Sequence, residues 1–432
     1  MGDYNYIGAA LPRYDGEGRV SGKTVYVDDV RKSGMCYVKV FRSPVHKGIV
    51  KNIDSTETMK VPGVLGILTA EDVPGINAGW FGDCPVFADK PRFKGEIICA
   101  VVGETEDIAW EGVEKLKVDI EEQEPVFDMF DAIKPGAPIV ADGPDNYVYW
   151  NGKSTFTMKL GDVEEGFKQA DHIVEGEYYE GAQDTVCMEP HISVSYYDEA
   201  GRLCIHTTSQ CLYFQLRPLC AILDLPMSKV RYIGGTVGGG FGGKNEIHAD
   251  HIAALAAMKF KRPIKYRWTR QEDLAYSTKR GAWKLHYKDG VTADGRLVAR
   301  KVEHWHDGGA HMTFSPYGVE KGSMFLCGPF WIPNILIEGH CIYTNKPTSS
   351  SVRGFTIING QFCADVQMQK IADKLGMDPW EVRMLNAWRD GDMGASRYVI
   401  AGAGALEAAR STAELAGITL PEHLMQMSSR GR

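Results

Sequence analysis

Short alternations of hydrophobic and polar residues dominate the first third of the chain, and they predict β-strands separated by turns. Residues 36–41, 64–68 and 97–103 are rich in apolar and β-branched side chains, which is typical of strands in a partly buried sheet. Apolar residues then recur at helical spacing near residues 106–116. We therefore predict one small α/β domain that covers residues 1–133.

A run of Pro, Gly and Asp residues over 134–149 interrupts this pattern and predicts a linker. Beyond it, residues 192–197 and 203–207 are β-rich stretches joined by an acidic turn that contains glycine, which predicts a hairpin. We expect a second, larger domain over 150–395, and a C-terminal helix and tail over 396–432. The expected fold class is α+β, a small α/β domain followed by a larger mixed α/β domain.

Glycine is concentrated between a predicted strand at 229–233 and a predicted alanine-rich helix at 248–260. Residues 234–245 contain seven glycines in twelve positions. Glycine loses much backbone entropy on ordering and has no side chain to pack, so an ordinary loop gains nothing from this composition. The segment predicts a close approach of bare backbone to a bulky ligand, with the helix start offering N–H donors to anionic or oxo groups. A tight turn without a ligand is the alternative.

Two nucleotide-binding motifs fit the glycine segment only in part. Gly238, Gly243 and Lys244 match a phosphate-binding loop, but Asn245 stands where magnesium coordination needs a Ser or Thr hydroxyl. The same glycines also approach the dinucleotide-binding pattern, yet no acidic residue for a ribose hydroxyl follows about twenty residues later. Both interpretations are disfavoured without being eliminated.

Composition and charge narrow the class of protein. The chain has 432 residues, of which 44% are hydrophobic and 24% charged, and its formal net charge is -8. These values are typical of a globular protein of two or three domains, and the acidic balance disfavours nucleic acid or a membrane as partner. The N-terminus lacks the features of a secretory signal, so we expect a cytoplasmic protein. The ten cysteines form no C-x-x-C pair, so we expect no iron–sulfur cluster or structural zinc on this chain.

The glycine segment and its neighbours resemble the molybdopterin-binding region of the xanthine dehydrogenase and aldehyde oxidase family of molybdenum hydroxylases. The similar segments, in chain order, are Met188-Glu189-Pro190, Thr208-Ser209-Gln210, Gly238-Gly239-Gly240-Phe241-Gly242-Gly243-Lys244, Thr344-Asn345-Lys346-Pro347, Val352-Arg353-Gly354-Phe355 and Gly376-Met377-Asp378-Pro379. Their order is more specific than any one motif. The first part of the chain, from Gly22-Lys23 to Thr69-Ala70-Glu71-Asp72-Val73-Pro74, resembles the α/β hammerhead domain that precedes this region. The resemblance covers about residues 15 to 410.

The family resemblance implies a molybdenum cofactor that is held through its pterin, so no side chain of this chain would ligate the metal directly. By match to the motifs, Gln210 would hydrogen-bond an oxo ligand of the metal. The backbone of Gly240, Phe241 and Gly242 would contact the metal's oxygen ligands. Arg353 would hold the polar edge of the site, as a guanidinium suits acceptor-rich ligands. The pterin could be present as molybdopterin or as its cytosine dinucleotide.

Substrate contacts depart from those of the family's purine enzymes. Asn245 replaces a glutamate of the xanthine-oxidising members, and Lys321 aligns with their substrate-binding arginine. Phe355 matches the aromatic residue that stacks on a flat substrate. The resemblance therefore implies an aromatic N-heterocycle, either purine-like or pyridine-carboxylate-like, with Lys321 facing a carbonyl or carboxylate. An aldehyde substrate is the alternative.

The family's larger chains carry a second cofactor-binding domain with the catalytic base, and no match to it follows here. We therefore expect no catalytic base on this chain and a split active site completed by a second molybdopterin-binding subunit. Electrons would leave through an iron–sulfur subunit and an FAD subunit. A molybdopterin carrier or assembly protein without turnover is the non-enzyme alternative.

Overall fold

The computed structural model describes residues 5–76 and 83–429 of the chain. The first four residues of the predicted first domain and residues 430–432 of the predicted tail lie outside the described residues. The strands are β1 (Cys36–Arg42), β2 (Gly48–Asp54), β3 (Val64–Leu68), β4 (Ile97–Gly103), β5 (Lys117–Glu122), β6 (Thr155–Leu160), β7 (His172–Glu180), β8 (Ile192–Tyr197), β9 (Leu203–Thr207), β10 (Val230–Gly234), β11 (Ile264–Arg267), β12 (Trp283–Val291), β13 (Leu297–Gly309) and β14 (Ile335–Tyr343).

The α-helices alternate irregularly with these strands. They are α1 (Gly16–Val20), α2 (Glu106–Glu114), α3 (Met129–Ala132), α4 (Val163–Lys168), α5 (Leu212–Ile222), α6 (Asp250–Phe260), α7 (Arg270–Tyr276), α8 (Ser315–Ser323), α9 (Ile357–Leu375), α10 (Pro379–Asn386), α11 (Ala405–Leu415) and α12 (Glu422–Met425).

The largest sheet combines strands from both sides of the predicted linker. Its order is β10-β9-β8-β11-β1-β4-β3. Strand β1 pairs with β11 in parallel and with β4 in antiparallel orientation. Strands before and after residues 134–149 share one sheet and one hydrophobic core. The domain boundary at 134–149 therefore stays a prediction from the sequence.

Helix α6 covers the middle of this sheet and explains its alanine-rich sequence. Its residues 252–257 are all at most 2% exposed, and it packs on β8, β11 and β9 while α5 contacts it from another side. A helix that is apolar on every side must be buried, and small side chains let neighbouring elements approach it closely. The helix and the sheet together support the glycine segment.

A second sheet of five strands has the order β6-β14-β13-β12-β7. Helix α9 packs on this sheet. Its buried residues come in adjacent pairs that recur every four positions, which is the pattern of a helix with one buried face. The helix ends at Gly376, whose φ of +67° is the left-handed C-terminal conformation that glycine adopts without strain. Strands β2 and β5 form a separate two-stranded sheet.

The structure confirms the predicted fold class, a mixed α+β arrangement. It also confirms the predicted hairpin, since β8 and β9 pair in antiparallel orientation. In the part of the chain that the structure describes, no helix combines the length and apolar character needed to span a bilayer.

Candidate functional site

The glycine-rich loop leaves the edge strand β10 and is shaped by very close approaches to neighbouring groups. A Cβ added to Gly240 would lie 2.3 Å from Oε1 of Gln210, and a Cβ on Gly242 would lie 2.4 Å from the carbonyl oxygen of Ser351. Gly242 also has a φ of +98°. No larger residue fits these two positions without displacing its neighbours.

Gln210 is held by the glycine loop through one end of its amide. Its Oε1 accepts a hydrogen bond of 3.0 Å from the Gly242 N–H, and its own backbone N–H donates to the Lys244 carbonyl at 3.2 Å. The side chain is exposed, and Nε2 has no protein acceptor among residues 5–76 and 83–429. Because Nε2 is a donor, the anchored amide presents a donor to any acceptor-rich ligand at this surface.

The backbone donors of the loop divide into two groups. The Gly238 N–H donates to Glu189, and the Gly242 N–H donates to Gln210. Within the described chain, the N–H groups of Gly239, Gly240 and Phe241 have no acceptor. Free donors therefore lie at the loop tip, whereas Gly242 holds Gln210 in this structure instead of offering its N–H to a ligand.

A buried ion pair supports the loop from below. Lys244 Nζ lies 2.7 Å from Glu189 Oε2, and the two side chains are 1% and 9% exposed. The same Glu189 oxygen accepts the Gly238 N–H at 2.8 Å. Gln215, fully buried, donates through Nε2 to the carbonyl oxygens of residues 244, 245 and 246. These contacts fix the path of the chain where it leaves the loop.

Arg353 lies beside the loop because the preceding residues pack directly on it. The Ser351 carbonyl contacts Gly242, and the Arg353 carbonyl accepts a hydrogen bond from the buried side chain of Arg280. The Arg353 side chain itself is exposed, and no ion pair to it is present in the described part of the chain. Its guanidinium is therefore exposed to solvent, two residues beyond the Ser351 carbonyl that contacts Gly242.

Lys321 and Phe355 form a second group that the sequence also predicted. The Lys321 Nζ lies 5.4 Å from the centre of the Phe355 ring, and Tyr317 contacts the same ring from one helical turn earlier. The lysine projects from the last turn of α8, and the aromatic ring precedes α9. The structure thus brings a cation and a flat apolar ring together. The ring belongs to Phe355, two residues beyond Arg353.

Asn245 belongs to the loop group and not to the group around Phe355. Its N–H donates to the Gly242 carbonyl at 3.1 Å, and its Oδ1 is buried without a hydrogen-bond partner in the described structure. The predicted site residues therefore form two groups, one around Gln210 and one around Phe355, which the segment 351–355 connects.

The prediction that a helix begins at His248 is wrong. Helix α6 begins at Asp250, and residues 244–249 form a buried irregular stretch between the loop and the helix. Gln215 donates to the carbonyl oxygens of residues 244–246, and Glu189 pairs with Lys244, so the chain is held there without helical hydrogen bonds. The donors offered to a ligand are therefore loop N–H groups and not those of a helix N-terminus.

Buried titratable residues lie behind the loop, and little in the local sequence pattern points to them. Burial raises the pKa of Glu246 to about 7, although hydrogen bonds from Ser350 and Thr313 oppose this change. Burial also holds the pKa of His248 well below its ordinary value. His191 Nε2 donates a 3.0 Å hydrogen bond to the Gly243 carbonyl oxygen. Among the buried titratable residues named here, Glu189 alone lies in a sequence motif, Met188-Glu189-Pro190, that singles it out.

The residues present suit a molybdopterin cofactor. The loop offers unpaired N–H donors, and the glycines at 240 and 242 let Gln210 and Ser351 approach it closely and hold it in place. Gln210 and Arg353 add donors for oxo and phosphate oxygens.

Several large apolar side chains are exposed in the loop and in the segments next to Glu189 and Gln210. Met188 and Tyr213 are 90% and 92% exposed, and Phe241 is 47% exposed. Met188 precedes Glu189, and Tyr213 lies three residues beyond Gln210. Exposed apolar side chains grouped around a candidate site are typical of a surface that another polypeptide covers.

Two family models match the chain. Residues 140–387 match the model described as the molybdopterin cofactor-binding domain. Residues 21–124 match the a/b hammerhead domain of aldehyde oxidase and xanthine dehydrogenase. The two matched segments lie on either side of the sequence between 125 and 139.

Known proteins resemble the chain in sequence and in structure. It is 33% identical to the nicotinate dehydrogenase large molybdopterin subunit of Eubacterium barkeri, over 92% of this chain and 93% of that one. It is 33% identical to a probable xanthine dehydrogenase subunit of Bacillus subtilis, over 90% of this chain and 52% of that one. The solved aldehyde oxidoreductase of Desulfovibrio gigas has a TM-score of 0.89 at 27% identity, over 94% of this chain and 46% of that one. The chain thus spans nearly all of the first relative and about half of the other two.

Proposed function

The chain belongs to the aldehyde oxidase and xanthine dehydrogenase family of molybdopterin-dependent oxidoreductases, and from this premise we propose that it is the large subunit of a molybdenum hydroxylase. The substrate is an aromatic N-heterocycle that carries a carboxylate, and a second polypeptide completes the active site. The observation that carries the proposal is the group formed by Gln210, the glycine loop and Arg353. This group presents unpaired donors at an open surface.

In this proposal the chain's own residues bind the cofactor and orient it. When bound, the cofactor supplies a molybdenum centre that accepts two electrons and passes on oxygen derived from water. Gln210 donates through Nε2 to an acceptor of the cofactor, because its Oε1 is already engaged by Gly242. The Phe241 N–H provides a second donor. The Lys244 and Glu189 pair keeps the loop rigid, so these donors need no rearrangement when a ligand arrives.

Lys321 and Phe355 support the choice of a carboxylated ring as substrate. An aromatic side chain favours a flat ring as its partner. The Lys321 ammonium lies over the Phe355 ring, 5.4 Å from its centre, and supplies the positive charge that a carboxylate on such a ring needs. Asn245 contributes no charge, so the loop side of the site does not repel an anionic substrate. The name of the Eubacterium barkeri relative, nicotinate dehydrogenase, refers to such a compound.

A second molybdopterin-binding subunit is the partner that best suits the exposed apolar surface. Met188, Tyr213 and Phe241 surround the loop that would hold the cofactor. The relative that matches this chain over nearly its whole length is named a large subunit, which supports a multi-subunit enzyme. In this proposal the partner supplies the general base, and iron–sulfur and FAD subunits take the electrons. The cytosine dinucleotide form of the cofactor and a cytoplasmic location are further parts of the proposal.

Substrate profiling of the purified complex tests the proposed activity. Pyridine carboxylates, the corresponding uncharged pyridine amides, purines and aldehydes are assayed with an artificial electron acceptor. We expect turnover of the carboxylates at the highest kcat/KM. Lys321→Met should raise KM for carboxylates at least about tenfold, which corresponds to the loss of one charge-assisted hydrogen bond, while Lys374→Met on the exposed face of α9 leaves it unchanged.

The same assay distinguishes the alternatives. A preference for aldehydes that does not respond to Lys321→Met would favour an aldehyde oxidoreductase, to which the Desulfovibrio gigas structure is similar. Bound molybdenum without turnover of any substrate would favour a cofactor carrier and would contradict the proposed function.

Co-purification tests the partner surface. Met188→Glu and Tyr213→Asp each place a charge on the apolar surface around the loop, and we expect both variants to lose the second molybdopterin-binding subunit. Leu415→Glu, at a residue that is 90% exposed on α11, is the matched control and should retain it. Retention of the partner by all three variants would place its binding surface elsewhere.

A further inference from the structure

The stretch that leaves the glycine loop borders a cavity of about 100 Å³. Glu246, His248 and His251 form part of its wall, and Trp268 and Thr278 form another part. None of the predicted cofactor or substrate residues lines this space. The cavity is therefore a separate feature behind the candidate site.

Four polar atoms of the cavity wall have no hydrogen-bond partner in the described structure. They are His248 Nε2, His251 Nδ1, Trp268 Nε1 and Thr278 Oγ1. The last three side chains belong to residues that are only 6%, 3% and 5% exposed. Proteins satisfy buried groups of this kind with ordered water, and the cavity has room for several water molecules.

A smaller space of about 10 Å³ lies nearer the candidate site, and it can hold about one water molecule. Ser209 and Lys244 line it, and these residues adjoin Gln210 and the glycine loop. Glu246 lines it as well. Among the described wall residues of the two spaces, Glu246 is the one they share.

The Glu246 carboxyl is suited to exchanging a proton. Residue 246 is only 8% exposed, and its Oε1 accepts a 2.6 Å hydrogen bond from Ser350. Burial raises its pKa to about 7, against the opposing effect of the Ser350 and Thr313 hydroxyls, so both protonation states are populated near neutrality. The titratable or charged groups around it belong to Arg42, Asp83, Cys84, Glu96, His191, Cys211, Lys244, His248, Asp250, His251 and Tyr276.

We propose that Glu246 and a water cluster in the larger cavity form a proton path that begins beneath Gln210. The idea rests on the proposed function, because hydroxylation of a ring carbon by water releases two protons together with the two electrons that pass to the redox cofactors. A proton released at the site binds a water of the smaller space, and that water breaks one of its O–H bonds as a proton passes to the Glu246 carboxylate and forms an O–H bond there. The carboxyl then breaks an O–H bond by giving a proton to a water of the larger cavity. No atom is oxidised or reduced in this transfer.

Infrared spectroscopy of the purified full-length chain tests the path without turnover. We expect a protonated-carboxyl band that disappears as the pH rises through neutrality and that shifts within seconds of transfer to D₂O. The band should be absent from Glu246→Gln, which keeps a partner for Ser350, and retained in Glu199→Gln, whose side chain is exposed. A wild-type band that exchanges only over hours, or no such band, would overturn the proposal.

Removal of one cavity hydroxyl tests the water cluster. Thr278→Val deletes an unpartnered oxygen at similar volume, and we expect deuterium exchange at Glu246 to slow at least about tenfold because the water chain loses a partner. Thr412→Val, on the exposed face of α11, should exchange as the wild type does. Equal exchange in Thr278→Val and the wild type would exclude the cavity as the route.

Turnover by the assembled complex gives an independent measurement. We expect Glu246→Gln to lower kcat at least about tenfold and to raise the solvent deuterium isotope effect, with KM unchanged, because proton transfer and not binding is impaired. An unchanged kcat would refute the path. A complex inactive toward every substrate would refute the proposed function, whereas the infrared measurements would still decide the proton path.

Discussion

Three residues with side chains adopt left-handed backbone at the candidate site. Val186, Phe241 and Thr356 have φ values of 45°, 50° and 62°. Such conformations cost about 1–3 kcal/mol each and are rare for β-branched residues. Val186 lies three residues before Glu189, which supports the glycine loop. Phe241 lies in that loop, and Thr356 follows Phe355, the residue predicted to stack on the substrate. Backbone strain of this kind persists where the surroundings fix it, which is typical of ligand-binding sites.

Gly242→Ala tests the requirement for bare backbone in the loop. The new methyl group would meet the Ser351 carbonyl at 2.4 Å in a residue with a φ of +98°, so we expect a loss of about 2 kcal/mol or more in the free energy of unfolding. We also expect little molybdenum to copurify with the complex, as measured by elemental analysis. Gly181→Ala is the matched control, because nothing lies within 4 Å of its added Cβ. Full molybdenum content in Gly242→Ala would contradict the predicted cofactor contact.

Gln210→Glu separates the anchoring role of this side chain from its donor role. A carboxylate still accepts the hydrogen bond from Gly242 but cannot donate from the second position. We expect the unfolding free energy to change by less than about 0.5 kcal/mol, whereas kcat should fall about 10²-fold to 10³-fold, as after the loss of one donor at a site of developing charge. Gln169→Glu, on an exposed helix end, is the control. A variant with wild-type kcat would remove Gln210 from the proposed site.

At the scale of elements, strand β13 carries an unusual set of polar residues on its buried face. Arg300, His304 and His306 are at most 3% exposed. Arg300 forms a fully buried ion pair with Asp289, with Nε 2.7 Å from Oδ1. His304 Nε2 and His306 Nε2 contact the hydroxyls of Ser323 and Ser349 at 2.8 Å and 3.0 Å. Each ring is therefore held as a neutral group beside α8 and the segment that leads to Arg353.

These histidines predict a loss of stability in acid. Burial lowers the pKa of His304 and of His306 to about 3, from an ordinary 6.5. Below pH 6.5 the unfolded chain binds protons that the folded strand does not, so this contribution is fully present above pH 6.5 and is lost as the pH falls toward 3. We expect roughly 2 kcal/mol per histidine to be lost at pH 5, as measured by urea unfolding at pH 5 and pH 7.5.

A matched pair of variants checks the source of this pH dependence. His304→Gln keeps a polar group near Ser323 but cannot titrate, so the difference in unfolding free energy between the two pH values should shrink. His423→Gln, at an exposed position, should leave the difference unchanged. An unchanged pH dependence in His304→Gln would show that the buried ring does not account for it.

Local patterns predicted the strands well, because alternation and β-branching act within a few residues. Strands β3, β4, β8 and β9 have the predicted bounds. The start of α6 was predicted two residues early, since tertiary contacts from Gln215 and Glu189 hold residues 244–249 in an irregular path. Resemblance to a family pointed to Gln210 and Phe355, whose roles stay predictions. Glu246 and Arg280 emerged only from the structure, because their partners are distant in sequence.

At the scale of the whole molecule, the shared seven-stranded sheet predicts that the chain cannot be divided at its linker. Separate expression of residues 1–133 and 150–432 removes the pairing between β1 and β11. We therefore expect neither fragment to show cooperative unfolding when it is followed by circular dichroism. Co-expression of the two should restore a folded complex. A flexible insertion at residue 143, in an exposed turn, is the control and should be tolerated. Cooperative unfolding of the isolated first fragment would contradict this prediction.

The interior position of β1 in the sheet also has a consequence for synthesis on the ribosome. Lys39 in β1 hydrogen-bonds to Arg267 at the end of β11, a separation of 228 residues. At about 5–20 residues per second, one side of β1 waits roughly ten to fifty seconds for its neighbour to be translated. An unpaired strand edge invites association with other nascent chains during that interval. We therefore expect the yield of folded protein to depend on translation speed and on chaperones that shield the early strands.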